Sequence, residues 1–185
     1  PTAAYRRERQ GLAPGPRGCN RADKPGGVEA SAVPHLVADV KGLIDHVSPG
    51  KPVVLVGHDW GGITAWAFAA FHPDSLTHLV IINAPHPAIL ARELGTNPAQ
   101  QQAMSYAAGL RAPQAEAALQ AGDYARLAGM LFGTAASPDT FSAADQAAYR
   151  AAWSQPGALT GLVNYYRANA LGGPAGEAAP PFPPI

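Results

Sequence analysis

Cysteine is nearly missing from this chain. Cys19 stands alone among 185 residues, which excludes an internal disulfide and leads us to expect a reducing, cytoplasmic setting. Charge is scarce as well: thirteen Lys and Arg balance thirteen Asp and Glu, together 14% of the chain. Without a basic field to hold phosphates, nucleic acid is not an expected partner. No apolar run approaches the roughly 20 residues that a membrane-crossing helix needs, so no membrane is expected either. The stretch from Pro1 to Gln10 is polar and Arg-rich, unlike the apolar core of a secretory signal. The six histidines are scattered singly, with no ligand spacing and no accompanying cluster of Cys or carboxylates, so neither a metal nor a cofactor is expected. What the chain does have is 47% hydrophobic residues, enough for the core of one domain that handles a small molecule. Nothing in the pattern bears on oligomeric state.

Glycine (20) and proline (19) crowd into residues 11–34 and 172–185 and leave a better-patterned middle. Residues 1–34 read as an irregular segment, because Gly and Pro interrupt every candidate element. Leu36, Val37, Val40, Leu43, Ile44 and Val47 then recur at spacings of three and four, the mark of one apolar helix face, stopped by Ser48-Pro49-Gly50. Val53–Val56 is a short run without polar alternation, which predicts a strand buried on both faces at the centre of a parallel sheet. A turn over Gly57–Gly62, a helix over Ile63–Phe71 closed by His72-Pro73, and a second apolar strand at Leu79–Ile82 complete one right-handed βαβ unit. Residues 35–97 are therefore the sheet-bearing portion.

After Asn83–Pro87 the character changes. Residues 98–171 predict helices only, at Pro98–Leu110, Gln114–Ala121, Asp123–Phe132, Ala143–Trp153 and Ala158–Leu171. Ser142 followed by Asp145 is a helix-start signal. A helical block inserted after a βαβ unit suggests a lid over the edge of the sheet. Residues 172–185 read as a Pro/Gly-rich linker.

The chemistry-bearing segment is Val56-Gly57-His58-Asp59-Trp60-Gly61-Gly62, set between a strand and a helix. A sharp strand-to-helix turn pushes one side chain out at the top of a sheet, and small neighbours make room for it. The following helix aims free N–H groups at the same spot. Asp59 occupies the apex, and a carboxylate can attack carbon to form an alkyl ester. The same residue could instead cap the helix; the strand before it and the small residues after it favour the nucleophile.

Val54 to Gly62 (VLVGHDWGG) and the later HPDSLTHLVIINAPHP resemble the epoxide hydrolase and haloalkane dehalogenase branch of the α/β-hydrolases. The segment Arg17–Pro25 is similar to the Arg-Gly-x-x-x-Ser-Asp-Lys-Pro segment just upstream in that branch, and Asn164-Tyr165-Tyr166-Arg167 resembles a cap segment bearing an epoxide-opening tyrosine. The resemblance implies an α/β fold, part of the α/β-hydrolase fold, with a parallel βαβ core and an inserted helical cap. It implies Asp59 as nucleophile and Tyr166 as the acid that protonates the departing oxygen. Trp60 would supply a backbone oxyanion donor and line the substrate pocket, while Tyr106 is the candidate second cap tyrosine and Tyr165 a packing residue. The implied partner is a small, apolar, epoxide-type substrate. A haloalkane dehalogenase would share the Asp–Trp pair but needs no tyrosine acid, and a non-catalytic binding module of the same fold is the reading from another class.

The sequence departs from that family at three places. No His-Gly-x-Pro segment supplies a second oxyanion donor, and Ala13–Arg17, with Pro16, stands where a strand would be expected. The strand and loop that carry the catalytic acid and histidine have no counterpart. The expectation is therefore a fragment of a hydrolase, unable by itself to release an ester from Asp59.

Overall fold

Apolar side chains repeating at helical spacing need a surface to cover, and in the computed structural model, which describes residues 11–169, two such helices cover one face of a small sheet. Helix α1 (Val33–Val47) buries Leu36, Val37 and Ile44 and carries Pro34 in its first turn, where the missing N–H costs nothing. Strand β1 (Val53–His58) leads into α2 (Trp60–Phe71), and β2 (Leu76–Ile82) pairs with β1 in parallel, from Val54 opposite His78 to His58 opposite Ile82. A register shift between Val53 and Val54 lets Thr77 stand out of the ladder, its hydroxyl donating to the Val53 carbonyl at 3.2 Å. Val37, Ile44, Ala67 and Phe68 form the core of this unit, with Val53, Leu55 and Leu76 packed beneath.

The expectation that both faces of the strands are buried is not met. Val54, Val56, Val80 and Ile82 point away from α1 and α2 and are 38–57% exposed. The reason is that helices lie on one face only: an apolar run reads the same in sequence whether one face or two find cover. Among the described residues the sheet has two strands.

Beyond β2 the described chain is helical. His86 opens α3 (Pro87–Thr96), its ring nitrogen accepting from the Ala88 N–H at 3.3 Å. Sequence reading left this stretch without a helix, although Pro87 at the first helical position and the Leu90–Leu94 spacing were signals for one. The single helix expected over Pro98–Leu110 is two: α4 (Pro98–Ala103) and α5 (Tyr106–Arg111), separated at Met104 and Ser105. The pair expected at Gln114–Ala121 and Asp123–Phe132 corresponds to the two arms of α6 (Ala115–Leu131), broken at Ala121–Tyr124 where Gly122, Asp123 and Tyr124 have positive φ. Helix α7 (Ala143–Trp153) matches its expected bounds and starts with the Ser142–Asp145 capping box, and α8 (Ala158–Ala168) ends three residues before the bound read from sequence. Leu110, Ala115, Leu119, Leu127 and Val163 make a second core among α5, α6 and α8. The linker read at 172–185, the Arg-rich start at 1–10 and the last residues of the expected final helix lie outside the described residues.

The segment before α1 forms no strand from Gly11 onward, in keeping with its prolines. It is nonetheless ordered by specific bonds. Arg17 forks onto Asp39 of α1, with both contacts at 2.5 Å, and reaches the Ala30 carbonyl at 2.9 Å. Gly18, at φ +80°, lies so close to Gly161 of α8 that a Cβ on Gly161 would stand 2.7 Å from the Gly18 Cα.

Candidate functional site

At the end of β1 the chain must reverse into α2 within one residue. That residue is Asp59, with φ 52° and ψ −123°, a conformation that side-chain-bearing residues rarely adopt. Its N–H donates to the Ile82 carbonyl at 3.2 Å, tying the apex to the end of β2, and its own carbonyl accepts from Gly62 at 2.9 Å and Ile63 at 3.0 Å. The carboxylate makes no helix-capping hydrogen bond, so the capping role weighed from sequence is not the one it plays. It is exposed at the turn. A Cβ on Gly57 would stand 2.8 Å from the Gly62 Cα, and one on Gly62 would stand 2.5 Å from the Ala84 Cβ, whereas Gly61 faces open space. Of the glycines flanking the apex, two are sterically required and one is not.

The aromatic residues converge beside this apex. Trp60 meets the edge of Tyr166 at 5.3 Å between ring centroids, nearly perpendicular, and Tyr165 at 5.5 Å. Tyr106, at the start of α5, meets Tyr166 at 6.1 Å. The four residues singled out from sequence, Asp59, Trp60, Tyr106 and Tyr166, thus come from the turn, α2, α5 and α8 into one cluster. Burial holds the Tyr166 phenol well above its ordinary value, with Tyr106 and the negative charge of Asp59 adding to the effect. Tyr166 therefore keeps its proton at neutral pH. Tyr165 is buried, and its hydroxyl donates to the Arg17 carbonyl at 2.8 Å, which makes it a tether between α8 and the segment before α1.

Sequence reading missed the polar frame behind Tyr166. Arg167 forks onto Glu116 of α6 at 2.6 and 2.8 Å and donates to the Ala112 carbonyl at 2.9 Å, while Arg111 donates to the Tyr166 carbonyl at 3.0 Å. The partners lie more than fifty residues apart in the chain, and no local pattern announces them. A cavity of about 190 Å³ lies elsewhere, between the 18–31 segment and α8, bordered by Gly18, Lys24, Ser31, Thr160 and Asn164. It includes neither Asp59 nor Tyr166. Among the described residues no group of three or more His, Cys, Asp or Glu could hold a metal ion, and no helix is long and apolar enough to cross a membrane.

Comparison with known proteins agrees with this fold. A family model described as the alpha/beta hydrolase fold matches residues 3–115, more than half of the chain. The AB hydrolase superfamily protein YfhM of Bacillus subtilis is 39% identical over 158 residues, covering 85% of this chain and 54% of that protein. Epoxide hydrolase 4 of Mus musculus is 33% identical over 156 residues, covering 82% of this chain and 43% of that protein. Among solved structures, the Bacillus megaterium epoxide hydrolase in complex with an inhibitor superposes with a TM-score of 0.76 at 30% identity, covering 82% of this chain and 53% of that one. The chain thus spans about half the length of the relatives it matches. It belongs to the α/β-hydrolase fold family and, within it, is similar to the epoxide hydrolases.

Proposed function

We propose that this chain carries the epoxide-opening machinery of an epoxide hydrolase, with Asp59 as nucleophile at a nucleophile elbow and Tyr166 as acid. An Asp59 oxygen attacks one epoxide carbon. The ring C–O bond breaks, and its electron pair goes to the oxygen, which takes the phenolic proton of Tyr166. The product of this step is a hydroxyalkyl ester on Asp59. Backbone N–H groups at the start of α2, that of Trp60 first, face the carbonyl oxygen of that ester. Tyr106 is the second phenol on the departing oxygen, and the Trp60 ring forms an apolar wall for the substrate.

The observation that carries this reading is the juxtaposition of an exposed carboxylate at a strained apex with a protonated, half-buried phenol across Trp60. An alkoxide is far more basic than a phenolate, so a phenol can donate to it even when burial has weakened it as an acid. A haloalkane substrate would release halide without a proton and leave both phenols idle. The helices from Pro98 onward then serve as a cap that brings the acid to the nucleophile.

Incubation of the chain with a reactive aryl epoxide, followed by intact-mass and peptide analysis, tests the proposal. The expected result is one adduct per chain on Asp59, lost in Asp59→Asn and slowed by about 10²-fold in Tyr166→Phe. No adduct on Asp59 would sink the reading in favour of a binding module. We expect the adduct to persist, because hydrolysis of an ester needs a general base. Sustained diol release would mean that His35, His46, His58, His72, His78 or His86 serves as one.

A further inference from the structure

We infer that Glu116 and Arg167 form a positioning pair for Tyr166, locking α8 to α5 and α6 in the one register that sets the phenol against Trp60 and Asp59. The inference rests on the proposed role of Tyr166 and deepens it. Helix α8 meets α5 and α6 through Leu110, Leu119 and Val163. Apolar packing of this kind is non-directional: it specifies that the helices touch but only loosely how far α8 is rotated about its axis. A planar guanidinium held at two points by a carboxylate is directional.

Arg167 is the residue after Tyr166, so fixing its side chain fixes the rotation of the turn that bears the phenol. It is held by both Glu116 oxygens and by the carbonyl of Ala112, the residue that follows α5. The restraint runs in both directions, because Arg111, the last residue of α5, donates back to the Tyr166 carbonyl. Helix α5 also carries Tyr106 at its start. The two crossed arginines therefore set the spacing of the two phenols as well as the aim of one. The pair is partly shielded, with 19% and 29% of the two side chains exposed, so solvent screening is incomplete. Its charges persist at neutral pH, since each partner favours the ionised form of the other.

Two readouts on the full chain separate this from a merely structural salt bridge. The first is the indole N–H proton resonance of Trp60, identified by its loss in Trp60→Phe, whose position reports the Tyr166 ring standing edge-on to it. The second is the saturating rate of adduct formation on Asp59 with an aryl epoxide. In Glu116→Gln and Arg167→Met the resonance is expected to move or broaden, while circular dichroism shows the helices intact. The saturating labelling rate is expected to fall about tenfold while the half-saturating epoxide concentration changes by less than about twofold. Arg167→Lys, which keeps the charge without the fork, is expected to fall between and serves where Arg167→Met does not fold. Glu116→Gln added to Tyr166→Phe should cost no further rate, because the pair acts only through that phenol.

An unmoved resonance in Glu116→Gln and Arg167→Met overturns the inference, as does a full additional loss in the double variant. If the wild-type chain forms no adduct at all, the proposed function fails. The resonance then decides alone whether the pair positions Tyr166.

Discussion

Asp59 sits in a backbone conformation that costs on the order of 1–3 kcal/mol for a residue with a Cβ. Such strain persists only where the surroundings over-determine it, and here two glycines, the bond to the Ile82 carbonyl and the start of α2 do so. Sequence alone identified the apex and its need for small neighbours, because strand, glycine and helix follow one another within a few residues. It did not separate the glycines, since steric need depends on what the fold brings opposite each one. Gly57→Ala is expected to cost about 3 kcal/mol, because backbone rather than a movable side chain meets the new methyl group. Gly61→Ala should leave stability unchanged or raise it by about 0.5 kcal/mol, as alanine favours a helix and meets nothing. Urea unfolding of the two variants checks the contrast; equal losses would mean that the turn is held differently.

Among the elements, those with short-range signatures were legible. The periodic face of α1 and the Ser142–Asp145 box of α7 announced themselves locally. The break at Met104–Ser105 was missed because tertiary packing, not propensity, decides such boundaries, whereas the start of α3 carried local signals in Pro87 and the Leu90–Leu94 spacing that went unread. At the site, the aromatic residues could be named from sequence, but the arginine frame could not, because Arg167 meets Glu116 across 51 residues. That frame has a consequence for stability against acid. Arg167 holds the Glu116 carboxyl below its ordinary value of 4.5, so the pair contributes its full stability above that value and loses it as pH falls. Melting temperatures of the wild-type chain and Glu116→Gln should differ at about pH 7 and converge as the pH falls below the ordinary glutamate value of 4.5. A gap that stays constant through that range would show that the ionisation of Glu116 adds nothing to folding.

At the scale of the whole molecule, the described residues form two apolar cores. One lies under α1 and α2, the other among α5, α6 and α8, and much of what joins them is polar or backbone: Tyr165 to Arg17, Asn169 to Val33 and Ser31, and the Gly18–Gly161 approach. The second face of the sheet, with Val54, Val56, Val80 and Ile82, stays open, and an apolar patch on a sheet invites self-association. Val56→Thr combined with Val80→Thr keeps the β-branched shape the strands favour while removing apolar surface. We expect lower light scattering on heating and weaker binding of a hydrophobic dye, with the urea midpoint little changed. Scattering as strong as wild type would move the sticky surface elsewhere. The contact of Trp60 with Tyr165 and Tyr166 spans the join between the two cores, and it gives the chain an optical property of its own. Transfer of excitation from a phenol to an indole falls steeply as the rings separate, so the part of the chain's ultraviolet emission that Trp60→Phe removes carries a gauge of whether α8 is seated beside Trp60.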